Sequence, residues 1–421
     1  MKKLLLIVLA SFSAAAQTVE WEADNHTKVI FVETKEIPII DVAIAFHAGS
    51  RYAQPGLANF TGQATMLGSK FFNKEQVNAK VSITGSEIKT YVDEELTVYH
   101  LRSLSNISQE TIVDQFNSAV FNAAFPSQEL RLQKQNILSD IAYEQAQPEE
   151  AAKKHLYKSL FPSASRYNSP VKGYPDTIDN YHTSDLHKYH AKTLGQPYTT
   201  IIIVGNTSID NAKRMSEALS KKLIASNSIF TKEKLYTAND PQTISIKPEQ
   251  KQSYFLLATK MPVSSTEKPF VTHLLLNEII GGNSSSYLFQ SLRDNEGLVS
   301  SIKSNFENID DFSLLSISGQ SQTKDNAKID DLLNEAFKHK ANIITEKRFK
   351  IAKESLKNKL LMNTSSNKKK LERLIVGAKN NHSINYDEWL IETLASVTIK
   401  DVAEALQHIS DNQFYKVYLG C

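Results

Sequence analysis

An internal repeat constrains this chain more than any other feature. The stretch from Thr183 through Thr200-Ile-Ile-Ile-Val-Gly205 lies against Thr398 through Tyr415-Lys-Val-Tyr-Leu-Gly420 at a constant offset of 215 residues, with no gap. Phe116-Asn-Ser-Ala-Val-Phe121 faces Leu333-Asn-Glu-Ala-Phe337 at an offset of 217. Two matches at nearly one offset predict a duplicated unit of about 200 residues, large enough for each copy to close its own core. Within the first copy, β-rich runs at 28–33 and 39–46, separated by Pro38, read as neighbouring antiparallel strands. Helical patterns follow at 57–67 and 74–81, then alternating strands at 88–91 and 96–101. Three more helices fall near 111–124, 128–145 and 149–160, the last two parted by Pro148. A helix near 184–193 then leads into the strand at 198–204. This order predicts an α+β chain of two homologous halves, each an antiparallel sheet with helices grouped on one side. The expected halves are 17–225 and 252–421, joined by a polar, turn-rich linker at 226–251 that contains Asn239-Asp-Pro241.

The first sixteen residues read as a signal peptide outside the fold. Lys2 and Lys3 precede a short apolar run from Leu4 to Ala10, and Ala14-Ala15-Ala16 supplies small residues for cleavage before Gln17. A periplasmic or secreted location is therefore expected. No later stretch reaches the ~18 uninterrupted apolar residues of a membrane span. The chain carries 48 Lys+Arg against 46 Asp+Glu, which excludes a basic nucleic-acid footprint. Its single cysteine, Cys421, excludes an intrachain disulfide.

Several segments point to one family. Gly49-Ser-Arg51, followed by Gly56-Leu-Ala-Asn-Phe-Thr-Gly-Gln-Ala-Thr-Met-Leu-Gly68, resembles the pitrilysin/insulinase family of zinc peptidases. Its two-half branch includes the mitochondrial processing peptidase and many bacterial periplasmic proteins. The similarity continues through Glu95-Leu-Thr-Val-Tyr99, Gly173-Tyr-Pro-Asp-Thr-Ile178 and Ser291-Leu-Arg-Asp-Asn-Glu-Gly-Leu298. Active members of this family carry His-x-x-Glu-His on the first helix and a Glu ligand about eighty residues later. Two histidines four apart present nitrogens from one helical face, and the glutamate between them serves the metal-bound water as general base.

Laid onto this chain, the motif falls on Asn59-Phe60-Thr61-Gly62-Gln63, and the third ligand on Asp140. Both histidines are replaced by amides, the base by glycine, and the third ligand by a side chain one methylene shorter. No His-x-x-Glu-His or His-Glu-x-x-His occurs anywhere in the sequence. The resemblance therefore implies a non-catalytic member without zinc, with Asn59, Gly62, Gln63 and Asp140 as degenerate positions. In the second half the family places an Arg and, seven residues on, a Tyr that bind the substrate backbone. Here Arg293 keeps the first position and Ser300 replaces the second. Arg293 can also be read as a surface ion pair with Asp294 or Glu296.

The family further implies a heterodimer with an active zinc-peptidase relative, the two chains enclosing a peptide or unfolded-protein substrate. A stand-alone peptide-binding or chaperone-like protein is the alternative, and an active zinc metalloendopeptidase a third reading that the motif argues against. Other signals carry less. His182, His187 and His190 could form a metal cluster, but the aligned second-half positions Val397, Val402 and Ala405 hold no ligand, which favours a solvated helix face. His47 reads as a packed or surface histidine rather than a ligand, Gly281-Gly282-Asn-Ser-Ser-Ser286 as a capped turn and Lys368-Lys-Lys370 as a solvated helix start.

Overall fold

The computed structural model describes residues 18–163, 165–195, 198–223, 240–246, 252–309, 312–338, 342–411 and 413–420. The expected signal peptide and most of the expected linker lie outside them. The first sheet contains β1 (Thr18–Glu22), β2 (Lys28–Glu33), β3 (Ile39–Phe46), β4 (Glu87–Val92), β5 (Thr97–Leu104) and β6 (Thr199–Gly205) in the order β1-β2-β6-β3-β5-β4. The second contains β7 (Thr243–Ile246), β8 (Gln252–Met261), β9 (Val299–Ile309), β10 (Phe312–Gln322) and β11 (Tyr415–Leu419) in the order β7-β11-β8-β10-β9. The second order reproduces the β2-to-β4 part of the first strand for strand, which is the duplication seen as topology. In the expected linker, 243–246 is β7, paired in parallel with β11.

One pairing differs from expectation. β2 and β3 are not neighbours: β6 lies between them, parallel to β2 and antiparallel to β3. Every residue of β6 is buried. A strand apolar on both faces belongs in the middle of a sheet, so the last strand of the half inserts between the two that open it. Each sheet is thus antiparallel apart from one parallel pair, β2–β6 or β7–β11.

The helices of the first half are α1 (Leu57–Ala64), α2 (Lys74–Ser82), α3 (Gln109–Phe116), α4 (Ser127–Ala146), α5 (Pro148–Leu160), α6 (Pro175–Asn180), α7 (Thr183–Leu194) and α8 (Ile209–Ser220). Those of the second are α9 (Lys268–Ile280), α10 (Asn326–Lys338), α11 (Glu346–Met362), α12 (Asn367–Asn380), α13 (Tyr386–Ser396) and α14 (Ile399–Asp411). Pro148 opens α5 at its first turn, where its missing N–H costs no helical hydrogen bond.

Each half packs several of its own helices on one face of its sheet. Val29, Phe31, Val42, Ile44 and Ile203 meet Ile112, Phe116 and Met215 in the first half. The opposite face receives a helix from the other half. α12 places Leu371 against Val32, Ala43, Val98, Ile202 and Val204 of the first sheet. Its counterpart α5 places Leu156 and Leu160 against Leu256, Ala258, Leu314 and Val417 of the second. Polar links seal the exchange: Thr34 Oγ1 donates to Asn367 Oδ1 at 2.9 Å, and Lys379 Nζ donates to Asp93 Oδ2 at 3.0 Å. No helix among the described residues is long and apolar enough to cross a membrane.

Candidate functional site

Helix α1 sits between the sheet edge and the helical layer. Phe60 and Ala64 are buried against Ile137 and Ile141 of α4 and Leu186 of α7, which fixes the helix rotation. That rotation places Asn59 and Gln63 on one face, where Gln63 Nε2 donates to Asn59 Oδ1 at 3.1 Å. Gln133 Nε2, from α4, donates to Gln63 Oε1 at 2.9 Å. Two amides stand where paired histidines would present nitrogens, and a third amide extends the chain across the helices. Gly62 is equally committed. Its carbonyl accepts from Thr90 Oγ1 at 3.2 Å, and a Cβ at 62 would stand 2.9 Å from Thr90 Cγ2 and 3.1 Å from Val92 Cγ2. Strand β4 therefore closes against the helix at the position of the general base. A glycine inside a helical pattern is the sequence signal for such a close approach.

Asp140 lies on the same helix as Gln133, but its side chain is 54% exposed and faces Lys172 Nζ at 3.8 Å. Lys172 is held more closely by Glu144, at 2.7 Å. These donors do not fit zinc: amides bound to one another are poor ligands beside imidazole, and the one carboxylate is shared with a lysine. Among the described residues no group of three His, Cys, Asp or Glu side chains could hold a metal ion.

In the second half, α9 and α11 are joined by charge instead. Glu278, at the repeat offset of 215 from Gln63, is buried; it accepts from Lys359 Nζ at 2.5 Å, Asn283 Nδ2 at 3.1 Å and Ser355 Oγ at 3.3 Å. Arg293 is exposed and lies over the Phe289 ring at 4.7 Å. Neither proposed ion pair forms among the described residues, since Glu296 is taken by Lys328 at 2.9 Å. Ser300, exposed on β9, donates to the Gln320 carbonyl at 3.3 Å.

The histidines of α7 do not converge on a metal, and they do not share the solvated face expected of them, because His190 is buried. His182 is exposed at the helix start, where its backbone N–H donates to Asp185 Oδ2. His187 and His190 meet the Phe125 ring edge-on, at 5.0 and 5.4 Å. Burial pushes His190 down to about 4, partly offset by its hydrogen bond to the Val120 carbonyl. Its unfolded value is near 6.5, so the unfolded chain takes the proton first and stability falls as pH drops from about 6.5 to 4. This contribution amounts to about 3 kcal/mol by linkage. His190→Phe should accordingly flatten the loss of urea resistance between pH 7.5 and 4.5; an unchanged slope would place the loss elsewhere. His47 packs edge-on to Tyr198 at 6.3 Å.

Sequence reading missed a buried polar cluster that braces the site. The 49–51 segment runs beside the turn at 93–95: Gly49 N–H donates to the Glu95 carbonyl at 2.9 Å, and Arg51 N–H to that of Glu94 at 3.0 Å. A Cβ on Gly49 would come within 2.5 Å of the Glu94 backbone, which explains the glycine. Arg51 Nη1 then reaches Glu95 Oε1 at 2.5 Å, Tyr52 OH donates to Glu95 Oε2 at 2.9 Å, and Tyr167 OH donates to Oε1. Burial alone would raise the Glu95 carboxyl pKa, but the Arg51 charge and the two phenol donors hold it below the usual range.

Beside this cluster opens a cavity of about 460 Å3, lined by Asn59, Glu94 and Glu144 and by residues of α5 and the 167–173 loop. Asn59 is 5% exposed, and its Nδ2 has no hydrogen-bond partner among the described residues.

The fold and sequence comparisons agree. A profile described as Insulinase (Peptidase family M16) matches residues 28–170, and one described as Peptidase M16 inactive domain matches 182–356. An uncharacterized zinc protease of Bacillus subtilis (strain 168), YmxG, is 22% identical over 366 residues, 84% of this chain and 86% of its own length. An uncharacterized zinc protease of Mycobacterium leprae (strain TN) is 23% identical over 399 residues, 92% of this chain and 89% of its own. Among solved structures, a peptidase M16 inactive domain from Pseudomonas fluorescens superposes with a TM-score of 0.86 at 22% identity, covering 96% of this chain and 97% of its own. A protease from Helicobacter pylori gives 0.85 at 16% identity, covering 96% and 100%. With the duplicated sheets, the exchanged helices and two profiles of one family laid end to end along it, the chain belongs to the M16, or pitrilysin/insulinase, family of peptidases.

Proposed function

We propose that this chain is a non-catalytic, zinc-free member of the family, which pairs with an active relative and contributes one wall of a chamber for peptides. The amides Asn59 and Gln63, standing at two of the metal positions and hydrogen-bonded to each other and to Gln133 of α4, carry the reading. They replace metal-binding imidazoles with a network bonded to itself, and Gly62 leaves no base to activate water. What survives is a peptide-binding surface. β4 is one of the two edges of the first sheet among the described residues, and a sheet edge can take an extended peptide as an added strand. Arg293, exposed and without an ion pair among the described residues, remains available to hold a substrate carbonyl or carboxylate through its planar fork. The signal-like start supports a periplasmic location for the pair.

Co-expression with a relative that keeps His-x-x-Glu-His tests this. The two chains should co-elute in size-exclusion chromatography and cleave peptides together. Arg293→Ala should lower turnover several-fold through KM while leaving assembly intact, since hydrogen bonds to charged groups contribute about 1.5–3 kcal/mol. Equal cleavage with alanine at 293 would reduce Arg293 to a packing role over Phe289. Failure of every such relative to associate would favour the stand-alone peptide-binding protein, which the cavity beside Asn59 also supports.

A further inference from the structure

Strand β4 lies at an edge of the first sheet and pairs with β5 alone among the described residues. Its place against α1 therefore depends on the turn at its end as well as on that one ladder. Asp93 organises the turn. Its Oδ1 accepts from the N–H groups of Glu95 and Leu96 at 2.8 and 2.7 Å, and its own N–H donates to the Leu96 carbonyl at 3.0 Å. The Asp93 carbonyl accepts from Ser50 N–H at 2.9 Å, which joins the turn to the 49–51 segment. Just before the turn, Val92 pairs with Thr97 and Thr90 holds the Gly62 carbonyl, so a shift of the turn moves the strand over α1.

The second carboxylate oxygen of Asp93 is held by the other half. Oδ2 accepts from Lys379 Nζ, in the last turn of α12, at 3.0 Å, with the side chains of Lys379 and Asp93 28% and 13% exposed. The second half fixes this end of α12 in turn. Asn381 closes the helix in the left-handed conformation, and the next residue, His382, is buried with Nε2 2.9 Å from Ser265 Oγ. The His382 ring stacks on Tyr386, whose OH donates to the Ser265 carbonyl at 2.6 Å. Contacts thus run without a break from the connection between β8 and α9, through the end of α12, to the turn between β4 and β5.

The exchange of helices does not by itself call for this ion pair. At the matching end of the other exchange, the chain leaving α5 meets the turn between β9 and β10 through apolar groups, the Phe161 and Phe312 rings at 6.3 Å with Ile309 in the same cluster. Apolar burial holds a helix on a sheet without direction, whereas a charge-assisted hydrogen bond fixes a distance and an angle.

We infer that Lys379 is a positioning residue, through which the second half sets the place of β4 against α1. The positioning stands on these contacts alone; its consequence for peptides rests on the reading of β4 as a binding edge. On this account the half without the degenerate motif governs the geometry of the half that carries it.

Amide hydrogen exchange on the chain from residue 17 onward, followed by mass spectrometry without peptide, tests the positioning. Lys379→Met removes the charge and keeps an unbranched stem. Asp93→Asn keeps an acceptor for the Glu95 and Leu96 N–H groups and removes the charge that Lys379 meets. Each should speed exchange in the segment 87–96 about tenfold and leave the central strand β6 unchanged. The double variant should be no faster than either single change, because both break one contact, and Lys379→Arg should restore most of the protection. Unchanged exchange at 87–96 in Lys379→Met would overturn the inference. Equal acceleration in β6 would do the same, since it marks a general loss of stability, and so would additive effects in the double variant. In fluorescence anisotropy with a labelled, unstructured peptide, Lys379→Met should weaken binding several-fold. A native chain that binds no peptide, or a Lys379→Met chain that binds equally well, would leave the positioning standing and remove β4 as the binding edge.

Discussion

Replacing Glu95 with alanine should lower the stability of the chain by about 3–5 kcal/mol, the usual cost of removing one partner from a buried ion pair. Arg51 and Glu95 have side chains only 3% and 6% exposed, 2.5 Å apart. Without the carboxylate, the guanidinium and the phenols of Tyr52 and Tyr167 would be left buried without their acceptor. The same carboxylate sets an acid limit. Its pKa is depressed in the folded state, so its contribution is present above the unfolded value, near 4.3, and is lost as pH falls through the folded one. Urea denaturation at pH 7 should show a markedly lower midpoint for Glu95→Ala. An Arg51→Met, Glu95→Leu pair should lose less than the two single changes combined, because it leaves no orphaned charge. A Glu95→Ala midpoint equal to that of the native chain would mean that solvent reaches the cluster.

The second large effect concerns the metal helix. Asn59→His, Gln63→His and Asp140→Glu together should create a zinc site, because 59 and 63 already face one another across one helical turn and α4 already meets that face through Gln133. Structural zinc sites are worth roughly 10 kcal/mol in apparent binding, so the triple variant should retain close to one zinc per chain after dialysis. Adding Gly62→Glu should not help stability. With Thr90 Cγ2 at 2.9 Å and Val92 Cγ2 at 3.1 Å from the new Cβ, strand β4 must move, at a cost of about 1–3 kcal/mol. A folded triple variant that binds no zinc would show that the exposed position 140 cannot turn toward the pair at 59 and 63.

The repeat was legible because duplication copies both pattern and topology. The β6 run, apolar throughout, and its counterpart β11 keep the same place in both sheets. The antiparallel pairing assigned to β2 and β3 failed because adjacency in sequence says nothing about a strand inserted from far along the chain, as the β6 register at Val29 and Ile201, 201 − 29 = 172 residues apart, shows. Helix exchange was likewise out of reach: the apolar stripe of α5 looks the same whether it covers its own sheet or the other half's. Of the site, the degenerate positions were readable as substitutions in a fixed spacing. Their hydrogen-bonded network and the closure of β4 over Gly62 depend on contacts across elements.

Zinc content tests the central claim most directly. The chain from residue 17 onward, purified without added metal or chelator and equilibrated with micromolar zinc before desalting, should carry well under one zinc per chain by elemental analysis. It should also leave unstructured peptides intact, because Asn59, Gln63 and Asp140 cannot compete with buffer for the ion. One tightly held zinc per chain, lost on Asp140→Ala and accompanied by chelator-sensitive cleavage, would contradict the account.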